Sequence, residues 1–136
     1  MIKRCDNKGF TLVELLAVIV ILSAIMGIAL PSITSSLERS KNKQNQAKYE
    51  SLESFAELYV TDYKMKVYNN LNANGQCYIE VSVLASMGYL PDDALEDADG
   101  NVISGRVWFN RGTNSYKFNK GTSAPSGYST SNSCTV

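Results

Sequence analysis

Glu14 is the residue that most needs a chemical explanation. It is the only charged side chain between residues 10 and 30, a stretch otherwise interrupted only by Gly27 and the hydroxyls of Thr11 and Ser23. At about 1.5 Å per residue such a run makes a helix of roughly 30 Å, the thickness of a bilayer's hydrocarbon core. A carboxylate placed in a span costs roughly 2–3 kcal/mol at mid-helix, and less near an end, unless a partner neutralises it. The chemistry to be expected of Glu14 is therefore pairing with a positive group.

The other groups that could do chemistry are few. The chain has 136 residues, 13 Lys plus Arg against 13 Asp plus Glu, and no histidine. Balanced charge gives no bulk attraction for nucleic acid, and without histidine the usual general base and the commonest zinc ligand are missing. No cluster of carboxylates, lysines and cysteines replaces them, so no enzyme is expected. The loop around "PDDALEDADGNVI" has a partial calcium-loop look at Asp97, Asp99 and Asn101, but lacks the full alternating ligand set and the later Glu. A solvated turn is the preferred reading, with calcium as the alternative and no other cofactor. Arg39, Lys41, Lys43 and Lys48 could meet phosphates, yet Glu38, Glu50 and Glu53 flank them, and a solvated helix face is preferred. Trp108, Phe109 and Phe118 are read as core. The Ser/Thr-rich tail could carry sugars on composition alone.

These groups are positioned by one long helix and a small sheet. From Phe10 to about Val67 the pattern is helical, with a bend or local melting expected at Gly27 and Pro31. Leu52, Phe55, Ala56, Tyr59, Tyr63 and Val67 form a 3–4 spaced stripe that would cover a core. "YNNLNANG" then breaks the helix. "CYIEVSVLASMGYLP" reads as a short helix ending near Gly88, with Leu84 and Met87 inward. "GRVWFN" and "SYKFN" read as strands joined by the turn "RGTN", with Val107, Phe109, Tyr116 and Phe118 inward. The tail would fray unless Cys134 ties it back to Cys77. Cys5 lies nearer the amino terminus, so two cysteines remain if the first nine residues are removed, as suits the oxidising side of a membrane. The fold expected is α+β: a lollipop with a membrane-spanning helix continued onto a small antiparallel sheet of two or three strands.

The amino-terminal segment admits three readings. A secretory signal has the basic residues Lys3, Arg4 and Lys8, but "GIALPS" is a poor cleavage site. A plain anchor fits the length, though cations on both sides of the span leave its orientation open. Neither accounts for Glu14. The stretch "KGFTLVELL", followed by a long apolar run and Pro31, closely resembles the processing signature of type IV pilins and the related pseudopilins. That resemblance implies a leader of residues 1–9, a cut between Gly9 and Phe10, and N-methylation of Phe10 by a membrane-embedded aspartyl prepilin peptidase. The new α-amino group, positive at neutral pH, would pair with Glu14 of a neighbouring copy as helices bundle.

The implied organisation is a membrane or filament-core helix over residues 10–30, an amphipathic continuation over 31–67 and a head over 68–136. The implied function is a subunit that polymerises into a type IV pilus-like surface filament. Alternatives are a pseudopilin of competence DNA uptake or of type II secretion, or a monomeric single-span protein displaying a small binding domain. The implied partners are further copies of itself, minor pilins, the peptidase, a platform membrane protein and an assembly ATPase, with DNA only in the competence case. Before assembly the chain would sit once through the cytoplasmic membrane, amino terminus inside, and afterwards in an extracellular or periplasmic fibre.

Overall fold

The computed structural model describes residues 9–129 and 132–136. The leader expected at residues 1–9, with Lys3, Arg4, Cys5 and Lys8, lies outside the described residues except for Gly9. The chain divides into two compact units, residues 1–40 and 41–136.

In the first unit the apolar run is helical from Leu12, within a helix α1 that spans Leu12–Asp62. Its large apolar side chains from Leu12 to Leu37 all lie exposed. Among the described residues this is the one helix long and apolar enough to cross a bilayer. Ser23 donates its hydroxyl to the Ile19 carbonyl at 2.7 Å, so the one hydroxyl in mid-span is satisfied within the helix. The local melting expected at Gly27 and Pro31 is absent, because α1 is unbroken through both. Pro31 has no N–H to offer the carbonyl four residues back, which belongs to Gly27. Thr34 supports the next turn by donating its hydroxyl to the Leu30 and Pro31 carbonyls, at 3.1 and 3.0 Å.

The second unit is α+β. After α1 come α2 (Lys64–Asn69), β1 (Gln76–Glu80), α3 (Val81–Ser86), a 3-10 turn over Asp92–Leu95, β2 (Gly105–Asn110) and β3 (Ser115–Lys120). The strands form one antiparallel sheet in the order β1-β2-β3. Alternation puts Cys77, Ile79, Val107, Phe109, Tyr116 and Phe118 on one face, with Ile79 opposite Val107 and Val107 opposite Phe118. Leu52, Ala56, Tyr59, Val60 and Val67 bring the helical stripe onto that face, and Val81, Leu84, Leu90 and Ile103 close the core. The edge strand β3 is blunted by Glu53, whose carboxylate accepts the Phe118 N–H at 2.8 Å.

Three expectations need correction. The helix is not continuous to Val67: it breaks at Tyr63, where φ −110° and ψ 26° leave the helical region. Tertiary contacts meet the chain at that break, since Tyr89 packs edge-on against Tyr59 and donates to the Asp62 carboxylate at 2.7 Å. The segment from Cys77 is not helical throughout. Its first residues are β1, and the helix covers only Val81–Ser86, because pairing with β2 outweighs local helix preference. Met87, expected inward, is exposed, whereas Leu84 is fully buried.

Trp108 is buried on the opposite face of the sheet, against Tyr78 and Tyr128. The tail covers it. Gln76 donates to the Gly127 carbonyl and accepts from the Ser129 N–H, at 3.1 and 2.8 Å. Tyr78 donates its N–H to Asn132 and accepts that of Cys134, extending the sheet edge at β1.

Gly105 opens β2 at φ +156°, and a Cβ there would lie 2.4 Å from the Asn119 carbonyl oxygen and 2.9 Å from the Phe118 ring. Because backbone is the obstacle, Gly105→Ala must shift the β2–β3 pairing. The expected loss is about 2–3 kcal/mol of head stability, read as a lowered denaturation midpoint. A midpoint unchanged from the parent would show that the strands part without strain.

Candidate functional site

Helix α1 starts where it does because of Thr11 and Glu14. The Thr11 N–H donates to the Glu14 carboxylate, and the Glu14 N–H donates to the Thr11 hydroxyl, both at 3.2 Å. This reciprocal pair is a capping box, and it sets the carboxylate at the positive end of the helix dipole. Glu14 therefore has a partner within its own chain. The sequence reading missed this role, although the Thr-x-x-Glu spacing in "TLVE" signals it.

The cap has a second effect. It ends the helix at Leu12, so the Gly9–Phe10 peptide lies in non-helical backbone. Phe10 is 93% exposed, and among the described residues a Cβ at Gly9 would meet nothing within 4 Å. A protease grips chain whose carbonyl is not locked in a helical hydrogen bond, and residues 9 and 10 precede the helix. The segment thus combines an accessible bond, a capped helix end and a carboxylate at the head of an exposed apolar helix.

Comparison with known proteins points to the same stretch. Residues 4–30 match the prokaryotic N-terminal methylation motif. By this segment the chain is similar to type IV pilin-like prepilins. The chain is also 38% identical over 58 residues to the competence protein ComGC of Streptococcus pneumoniae serotype 4, strain ATCC BAA-334 / TIGR4, and equally to that of strain ATCC BAA-255 / R6. The match covers 43% of this chain and 54% of theirs, so it spans about half the length of the curated relatives. No solved structure matches.

The remaining candidate residues lie in the second unit, except for Gly27, Pro31 and Arg39 within α1. Cys77 and Cys134 are joined by a disulfide, with Cα atoms 5.3 Å apart. Both are buried, Cys77 on β1 and Cys134 beside Tyr59, whose hydroxyl donates to the Cys134 carbonyl at 3.4 Å.

Asp97, Asp99 and Asn101 share one turn, closed by hydrogen bonds to the Asp97 carboxylate. Asp97 accepts the Asp99 and Asn101 N–H groups, both at 2.9 Å, while Asp99 pairs with Lys41 at 2.5 Å. Among the described residues no group of three or more His, Cys, Asp or Glu side chains could hold a metal ion. The acidic loop and the basic run instead meet each other. Lys41, Asn45 and Lys48 lie on one side of α1 at i, i+4 and i+7. Asn45 accepts the Ala98 N–H at 2.8 Å, and Lys48 donates to the carbonyls of Asp93 and Glu96. Two features read separately as a solvated turn and a solvated helix face thus form one clasp. The ion pair is exposed, and its direct contribution to stability is at most about 1 kcal/mol.

The N–H of Asn101, then that of Asp99, holds the Asp97 carboxyl below the ordinary carboxylate value. A depressed folded-state pKa stabilises the folded loop above the unfolded carboxylate pKa, and that stability is lost as pH falls through the folded value. The Asp99 and Asn101 amide resonances should therefore hold steady down to about pH 4, the ordinary range for Asp, and move only below it. In Asp97→Asn, which keeps the acceptor, this acid-range movement should vanish. Movement centred at an ordinary carboxylate pKa would refute the assignment.

Proposed function

We propose that this prepilin is cut between Gly9 and Phe10 and that the shortened chain polymerises into a pseudopilus of the competence kind. One observation carries the reading: the segment matching the methylation motif presents a non-helical Gly9–Phe10 bond just ahead of a capped, exposed apolar helix bearing Glu14. Cleavage creates a positive chain end at Phe10. In a lone chain, Thr11 satisfies the Glu14 carboxylate in part. As helices bundle and water leaves, the amine of a neighbour offers the same carboxylate a full opposite charge, and leaving either charge alone there is costly.

On this reading the chain sits once through the cytoplasmic membrane with its amino terminus inside. A prepilin peptidase cuts it and methylates Phe10, and a platform protein with its ATPase draws it into the fibre among minor pilins. The prepilin binds and assembles; it catalyses no reaction. The two competence relatives favour DNA uptake over a surface pilus or a secretion pseudopilus as the use of that fibre.

Mass spectrometry of the protein recovered from its cells should show a chain lacking residues 1–9 and carrying one added methyl group, and sheared fractions should contain filaments. Deleting the gene should abolish uptake of added DNA. Filaments in cells whose DNA uptake survives the deletion would transfer the reading to a surface pilus. Recovery of the uncut chain as a stable solitary membrane protein would refute it.

A further inference from the structure

Residues 41–48 of α1, "KNKQNQAK", hold a single apolar side chain, Ala47, and it is exposed. Lys41, Asn45 and Lys48 are half-buried where the acidic turn over residues 93–101 sits against them. That seat is polar: Lys41 pairs with Asp99, Asn45 accepts the Ala98 N–H, and the Lys48 ammonium donates to the Asp93 and Glu96 carbonyls. From Tyr49 onward the attachment changes character. Tyr49 stacks on Phe118 with ring centroids 4.8 Å apart, and Leu52 and Ala56 are fully buried.

The turn carries its own support. The Asp97 N–H donates to the Asn101 carbonyl, the Gly100 N–H to the Asp97 carbonyl and the Ile103 N–H to the Leu95 carbonyl. The Asp97 carboxylate holds the Asp99 and Asn101 N–H groups, and Leu95 and Ile103 root the turn in the core. A segment with few buried apolar contacts and exposed hydrogen bonds opens locally, far more easily than the core unfolds. Exposed charge contacts also weaken as salt rises. We propose that the clasp is a salt-sensitive latch, which releases residues 41–48 while the turn and the core keep their structure. Closed, these residues belong to the head. Open, they stay helical as a continuation of α1, and the head begins at Tyr49. The latch is a property of the single chain and holds whether or not copies assemble. In an assembling chain it lets the head adjust to its neighbours with the core intact.

The test is amide hydrogen exchange, read by NMR on the full chain in neutral detergent micelles. The Ala98 N–H reports the latch, because Asn45 holds it, and the Asn101 N–H reports the turn, because Asp97 holds it. Raising sodium chloride from about 10 mM to about 0.5 M should speed Ala98 exchange about fivefold relative to Asn101, with the thermal midpoint of the head unchanged. Lys41→Met with Lys48→Met keeps the side-chain stems and removes both ammonium groups, and it should show the fast Ala98 exchange at both salt levels. Equal acceleration at Ala98 and Asn101 would mean that the turn itself unfolds. An Ala98 rate indifferent to salt, or to loss of the two ammonium groups, would mean that charge does not hold the helix. Either result overturns the latch.

Discussion

Glu14→Gln should leave cleavage between Gly9 and Phe10 intact and abolish filaments. Glutamine is chosen because it can keep the cap: at the third helical position it reaches back to the Thr11 N–H much as glutamate does. What it loses is the charge. Removing one partner of a buried ion pair costs about 3–5 kcal/mol, since the other charge stays desolvated and alone. At roughly 1.4 kcal/mol per factor of ten, filament yield should fall at least about a hundredfold. Glu14→Ala should fall as far, because the same charge is lost along with the cap. Thr11→Ala removes only the cap hydroxyl, costs about 1 kcal/mol and should leave most filaments. Wild-type yield from Glu14→Gln alongside failure of Glu14→Ala would mean that Glu14 serves as a helix cap and that no intermolecular pair exists.

The second large effect is on the head. Joint replacement of Cys77 and Cys134 by serine opens a loop with a sequence separation of 57 residues. In the chain-entropy account this costs about 4 kcal/mol, or roughly 15–30 °C in midpoint for a unit of this size. The loss should propagate beyond the cysteines. The tail between them carries Tyr128 against Trp108 and Ser129 onto Gln76, so releasing it exposes the outer face of the sheet. Trp108 fluorescence should shift to the red at temperatures where the parent head is still folded. A midpoint within a few degrees of the parent would show that the hydrogen bonds of Gln76 and Tyr78 hold the tail unaided.

Local pattern made much of the molecule readable. The apolar run, the carboxylate within it and the Gly-Phe pair are neighbours in the chain, and helical structure over residues 12–62 requires nothing distant. The β2–β3 hairpin was equally open to reading, because two alternating runs and their turn lie within sixteen residues, Gly105 to Lys120. β1 was harder. Its five residues run directly into helix formers, and only pairing with β2, some thirty positions away, decides the matter.

Composition and order along the chain, taken alone, determined the apolar amino-terminal helix and the α+β class, since hydropathy runs and strand alternation act over a few positions. Tertiary structure alone decided the meaning of the charged loop. Lys41 and Asp99 are 58 residues apart, and no local rule distinguishes a lysine that will meet a carboxylate from one left for phosphate. It also decided that the polar tail would bury a tryptophan instead of fraying. Such choices depend on which surfaces the core brings together, and long-range packing free energy is not written in any short window of residues.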